Sequence, residues 1–147
     1  MAVEIRILGS GDQGALANVA PEVFDNQINK RWSAEFLADP RHHLAVATEG
    51  ELVVGFASAV HYVHPDKPPE LWINEVGVAP THQKRGLGKR LLRKLFEVGR
   101  ECGCGTAWVL TDRLNVSAMR LYASSGGIAA RNDQVMFEFR LDQGDAS

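Results

Sequence analysis

Residues 71 to 110 hold the arrangement that most constrains the fold. Leu71 to Val78 (LWINEVGV) reads as a strand that stops at Ala79-Pro80. Gly86 to about Cys102 reads as an amphipathic helix. Leu87, Leu91, Leu92, Leu95 and Phe96 recur on one face, and Lys89, Arg90, Arg93 and Lys94 tend to the other. Gly103 and Gly105 punctuate its end, and Ala107 to Leu110 reads as a further strand. A helix with a single apolar stripe between two strands must pack against a sheet, so the chain is α/β.

The flanking segments fit one domain around that unit. Val3 to Leu8 alternates apolar and polar and predicts a first strand. Asp12 can cap a helix running to about Asn29, with Ala15, Leu16, Val19, Val23 and Phe24 at helical spacing. A second short helix is expected around Trp32 to Ala38, stopping before Pro40. His43 to Thr48 and Leu52 to Val63 read as a hairpin across Glu49-Gly50-Glu51. A proline-rich loop, HPDKPPE, follows. Ser117 to Ser124 predicts a helix ending at Gly126-Gly127, and Val135 to Leu141 a last strand. The order is β-αα-βββ-α-β-α-ββ, a mixed, mostly antiparallel sheet flanked by helices. The core spans about residues 3–141, followed by a short polar tail.

Composition narrows the partners. The 147 residues carry a formal net charge of −2, so no global basic field points to nucleic acid. No apolar run is long enough to span a bilayer. The N-terminal MAVEIRILGSGD lacks the pattern of a secretory signal. Cys102 and Cys104 match no zinc spacing and read as free thiols at a helix end. His61 and His64 offer H-x-x-H on a strand end with no evident third ligand, so no metal is expected. Together these features lead us to expect a cytoplasmic protein.

Two glycine loops compete for a phosphate role. Gly9, Gly11 and Gly14 have G-x-G-x-x-G spacing, but no second strand or ribose-binding acid follows. They read as a turn with Asp12 as cap. The loop HQKRGLGKR (82–90) is better placed, between a strand end and a helix N-terminus. There backbone N–H groups and the helix dipole favour an anion. Lys84, Arg85, Lys89 and Arg90 crowd the same end, where a bound polyanion would offset their repulsion. A solvated basic patch with a glycine turn is the competing reading.

Gln83-Lys84-Arg85-Gly86-Leu87-Gly88 matches Q/R-x-x-G-x-G/A and resembles the acetyl-CoA pyrophosphate loop of the GCN5-related N-acetyltransferases, the GNAT superfamily. The preceding INEVGVAP and the later NVSAMRLY segment with its following glycines resemble the same family. The resemblance covers nearly the whole chain and is most specific from about 71 to 127. YVHPDKPPELWINEVGV, Thr111-Asp112 and VMFEF are most similar to the aminoglycoside 3-N-acetyltransferase branch. That branch usually has Asp where Glu75 stands, and Asn115 looks more like general superfamily sequence.

The resemblance implies acetyl transfer from acetyl-CoA to a primary amine of a small molecule, by direct attack in a ternary complex. Glu75 matches the common base position. A free carboxyl titrates at about 4.3, so burial is needed to make it an effective base. Val76, Gly77 and Val78 would offer backbone groups to the pantetheine, added like a strand, with one N–H facing the thioester oxygen. Gly77 would remove bulk where the cofactor approaches. Gln83, Lys84, Arg85, Gly86, Leu87, Gly88 and Lys89 would bind the pyrophosphate or ribose phosphate, and Asn115 the pantetheine arm. Tyr122 matches the general acid that protonates the departing thiolate. Glu22, Asp25, Glu70, Asp112 and Asp133 are candidate walls of an acidic acceptor pocket. A protein or peptide acetylase and a non-catalytic acetyl-CoA sensor are the rival readings. Apolar edge strands near the C-terminus are compatible with a homodimer.

Overall fold

The computed structural model describes residues 2–130 and 133–142. One five-stranded sheet runs in the order β1-β2-β3-β4-β5. The strands are β1 (Val3–Leu8), β2 (His42–Glu49), β3 (Leu52–Tyr62), β4 (Glu70–Val78) and β5 (Thr106–Val109). The first four pair antiparallel, and β4 with β5 is parallel. Helices α1 (Lys30–Ala38), α2 (Leu87–Glu101) and α3 (Val116–Ser124) flank the sheet. This is the expected α/β architecture. Among the described residues no helix is long and apolar enough to cross a membrane.

The centre is β2 and β3, buried along nearly their whole length. On one face Ala45, Ala47, Gly55, Ala57 and Ala59 leave room for α2 to lie close. Leu91, Leu92 and Leu95 of α2 are fully buried against them. Each such leucine stabilises the fold by about 2–5 kcal/mol relative to alanine. Gly99 brings the last turns of α2 down onto β4, where a Cβ would stand 3.0 Å from Leu71 Cδ2.

Three expectations differ from the structure. The helix predicted from Asp12 to Asn29 is only a 3-10 turn over Gln13–Ala17. Val19 instead bridges Val53 in parallel, with Val53 N donating to Asn18 O and Ala20 N to Val53 O, each at 2.9 Å. Pro21 follows, and Glu22 takes a left-handed φ of 65°. Pairing with the buried β3 outweighs the helical periodicity of the segment. Second, α1 begins at Lys30, because the Asn29 side chain accepts from Trp32 N at 2.9 Å and caps it.

Third, Val135–Leu141 forms no strand. Val135, Phe137, Phe139 and Leu141 are exposed, and the segment pairs with neither β5 nor another strand. The alternation was real, but pattern gives a strand no partner, and β5 offers an edge only four residues long. Most of the polar tail, residues 143–147, lies outside the described residues.

Candidate active site

Glu75 is set by a bulge. Leu71 pairs with His61 and Ile73 with Ala59, both turned toward α2. The register then shifts. Asn74 is the extra residue, and Glu75 pairs with Ser58. Without it the alternation of β4 would carry Glu75 under α2. With it, Glu75 emerges on the opposite face. There it lines a cleft of about 350 Å³ together with Asp25, Asn26, Trp32 and Ser58.

Withdrawal from water raises the Glu75 carboxyl above its ordinary pKa, and the negative charge of Asp25 raises it further. Asp25 is the one candidate wall acid that joins Glu75 in this cleft. Glu22 lines a neighbouring hollow that shares Phe24 with this cleft. Glu70 is bound to His64 at 2.6 Å at the other end of β4. Asp112 accepts from Leu114 N in the turn before α3, and Asp133 is exposed.

Gly77 answers to a different neighbour than expected. A Cβ there would lie 2.3 Å from the carbonyl oxygen of Val23 and 2.8 Å from Phe56 Cε1. The glycine admits the Val23–Asp25 segment against β4, and so positions Asp25. Val76 and Val78 pair with Ala57 and Gly55 and turn their side chains toward the core.

β4 and β5 pair only from Glu70↔Thr106 to Ile73↔Val109. Among the described residues, none pairs with the edge of β4 toward β5 from Asn74 to Val78. The glycine loop starts at the end of this edge. The Gln83 amide donates to Val78 O at 3.0 Å and folds the loop back on the strand. Buried His82 bonds Thr81 Oγ1 at 2.8 Å and Glu49 at 3.2 Å, which ties the loop to the β2–β3 hairpin. Lys84 and Gly86 both adopt left-handed φ values, 64° and 76°. Gly86 caps α2 with no side-chain hydrogen bond, and the first intrahelical bond is Arg90 N to Gly86 O. The N–H groups of Leu87, Gly88 and Lys89 are therefore free of helical partners. That chemistry fits a pyrophosphate. Arg90 is otherwise engaged, donating to Val3 O.

α3 abuts the same helix end, where a Cβ on Gly88 would meet Leu121 at 3.1 Å. Tyr122, next to Leu121, is half-buried, and desolvation raises its hydroxyl pKa. Asn115 has a structural duty: its side chain accepts from Ala118 N at 3.1 Å and caps α3. At the first glycine loop, Asp12 Oδ2 accepts from Gly9 N at 2.8 Å, closing a turn around Gly11.

Sequence reading missed Ser58, Trp32 and Asn26 as cleft residues. Ser58 alone carried a signal, a hydroxyl set in the apolar run of β3 from Leu52 to Val60.

A sheet splayed beside a glycine loop at a helix N-terminus, with a carboxylate across the strand, defines an acyl-transferase scaffold. The acetyltransferase (GNAT) family matches over residues 15–126, and the chain belongs to that family. It is 33% identical to the N-alpha-acetyltransferase RimI of Mycobacterium tuberculosis, over 76% of this chain and 73% of that protein. It is 29% identical to a streptothricin acetyltransferase of Streptomyces lavendulae over 74% of this chain, and the match spans 55% of that longer protein. Its fold is similar to an aminoglycoside acetyltransferase from an uncultured soil metagenomic sample. The TM-score is 0.78 at 22% identity, covering 96% of this chain and 99% of that one.

Proposed function

We propose that the chain is an acetyl-CoA-dependent N-acetyltransferase acting on a primary amine of a small cationic molecule, with an aminoglycoside as the leading candidate. The observation that carries this reading is the Glu75–Asp25 acid pair in a cleft opposite Ser58. Acetyl-CoA supplies the acetyl group as a thioester. The open edge from Asn74 to Val78 would hold its pantetheine, and the loop from Gln83 to Lys89 its pyrophosphate. Asn115 would add a contact through its amide N–H groups, its carbonyl being used in capping.

The protein's own groups then handle protons. A primary amine arrives mostly as an ammonium ion and must lose a proton to become nucleophilic. Asp25 attracts the cation, and Glu75, with its raised pKa, takes the proton directly or through water. A β4 backbone N–H polarises the thioester carbonyl. Tyr122, held neutral by burial, gives its proton to the departing thiolate. The named activities of the streptothricin and aminoglycoside relatives support a polycationic acceptor.

A second reading, acetylation of a protein N-terminus, is favoured by the RimI relative and by the fold likeness to a ribosomal-protein-alanine N-acetyltransferase of Brucella melitensis. A thiol-release assay separates the two. Wild type and Glu75→Gln are compared on aminoglycosides, polyamines, amino acids and short peptides. Turnover of an aminoglycoside that falls with Glu75→Gln supports the first reading. Turnover confined to peptides supports the second. Tight acetyl-CoA binding with no turnover on any amine favours a sensor.

A further inference from the structure

On the face of the sheet away from Glu75, three side chains from three elements converge. His43 of β2 and His61 of β3 place Nε2 and Nδ1 2.8 Å apart. Cys102, at the C-terminal cap of α2, brings its Sγ to within 4.8 Å of both. Gly99 makes this possible, because its close approach to Leu71 lowers the end of the helix onto the strands. We propose that His43, His61 and Cys102 bind a zinc-class divalent cation, clasping the C-terminus of α2 to the β2–β3 hairpin.

The donor set suits such an ion. Two imidazoles and a thiolate are borderline-to-soft ligands, of the types zinc takes in open sites with three protein ligands and water in the fourth position. Tetrahedral zinc with bonds of about 2.0–2.1 Å to nitrogen needs ligand nitrogens about 3.3 Å apart. The two rings must therefore part by roughly half an ångström, and the Cys102 side chain must swing inward from the last helical turn. His43 is buried, and its pKa is lowered to about 4 chiefly by desolvation and then by His61, the direction that favours the neutral ring. The proton now shared between Nε2 and Nδ1 moves to the outer nitrogen of one ring. The Cys102 thiol, whose pKa is raised by burial and by Glu101, releases its proton to solvent as the metal–sulfur bond forms. Binding is therefore accompanied by acidification and weakens at low pH. The proposal is independent of the acetyltransferase reading.

The test uses tag-free, chelator-treated protein titrated with Co²⁺ and then Zn²⁺. Wild type should gain a thiolate-to-cobalt charge-transfer band that saturates at one equivalent and is bleached by zinc. Cys102→Ser should lose the band, Cys104→Ser should keep it, and His43→Gln and His61→Gln should each weaken binding on the order of a hundredfold. Half-buried His61 provides the histidine readout should the buried His43 variant fail to fold. No band in wild type, a band lost in Cys104→Ser and kept in Cys102→Ser, or undiminished affinity in the His61→Gln protein would each overturn the proposal.

Discussion

Glu75 stands directly across the β3–β4 ladder from Ser58, although Ile73, two residues earlier, stands across from Ala59. That one-residue slip changes the face on which the carboxylate emerges. It places the acid in the cleft, beside Asp25, and leaves Leu71 and Ile73 in the core.

Replacing this carboxylate should separate binding from chemistry. Glu75→Gln should lower kcat/KM for the acceptor on the order of 10²–10⁴-fold while leaving acetyl-CoA affinity unchanged. Steady-state kinetics beside calorimetric titration of acetyl-CoA checks both halves. An equal loss of cofactor affinity would assign Glu75 a structural role.

The same group should cost stability. Its folded pKa is raised, so the stability it contributes is fully present below the unfolded pKa and is lost as pH rises through the folded value. Glu75→Gln should therefore melt higher than wild type at neutral pH, and the gap should close in acid. In activity, Asp25→Asn should shift the acidic limb of the kcat/KM profile to lower pH, because removing the neighbouring charge lets Glu75 ionise sooner.

Gly77 and Gly11 should respond differently to alanine. At Gly77 the new Cβ meets the Val23 carbonyl, so the Val23–Asp25 segment must move. Gly77→Ala should lose about 1–3 kcal/mol and impair acceptor turnover. At Gly11 no described residue lies within 4 Å of the new Cβ, and the φ of 90° is what resists. Gly11→Ala should lose about 1 kcal/mol without affecting turnover. Chemical denaturation and kinetics on the two proteins measure the contrast.

Bulk at the second glycine loop should abolish acetyl-CoA binding. Gly88→Trp would drive into Leu121 and push α3 from the helix end. Calorimetry should show no binding to Gly88→Trp or Gly86→Trp, and retained binding to Gly11→Trp. Loss of the cofactor in Gly11→Trp alone would move the phosphate site to the first loop.

His43 should make the fold acid-sensitive in a defined window. Its folded pKa, about 4, lies below the unfolded value of 6.5, so its contribution is present above 6.5 and lost as pH falls toward 4. The loss is about 2–3 kcal/mol. His43→Gln should flatten the dependence of the melting temperature on pH across that interval. His61, His42 and Asp39 are the charges that face the ring.

Much of this was legible in the chain. The run from Leu71 to Val109 carries its period, its proline stop and its glycines in consecutive residues, so strand, loop and helix could be read directly. The loop from Gln83 was singled out through that local order, and Glu75 through the resemblance to the acetyltransferase family. The bulge at Asn74 could not be, because it is a relation between β4 and β3, absent from either strand alone. Residues 18–20 failed for the same reason: their helical spacing is real, but Val53 offers them backbone bonds. Val135–Leu141 failed in the opposite way, having a strand's pattern and only the short edge of β5 beside it. Asp25 was only one of five acids until Gly77 admitted the backbone that carries it.

The open edge of β4 has a consequence for the protein's lifetime. A sheet that stops pairing at Ile73 leaves Asn74 to Val78 short of a neighbour. With pantetheine added there as proposed, the co-substrate becomes the missing strand and binds only the folded chain. At a concentration a hundred times its dissociation constant it would stabilise that state by about 2.7 kcal/mol. Resistance to proteolysis would then rise with the concentration of acetyl-CoA around the protein.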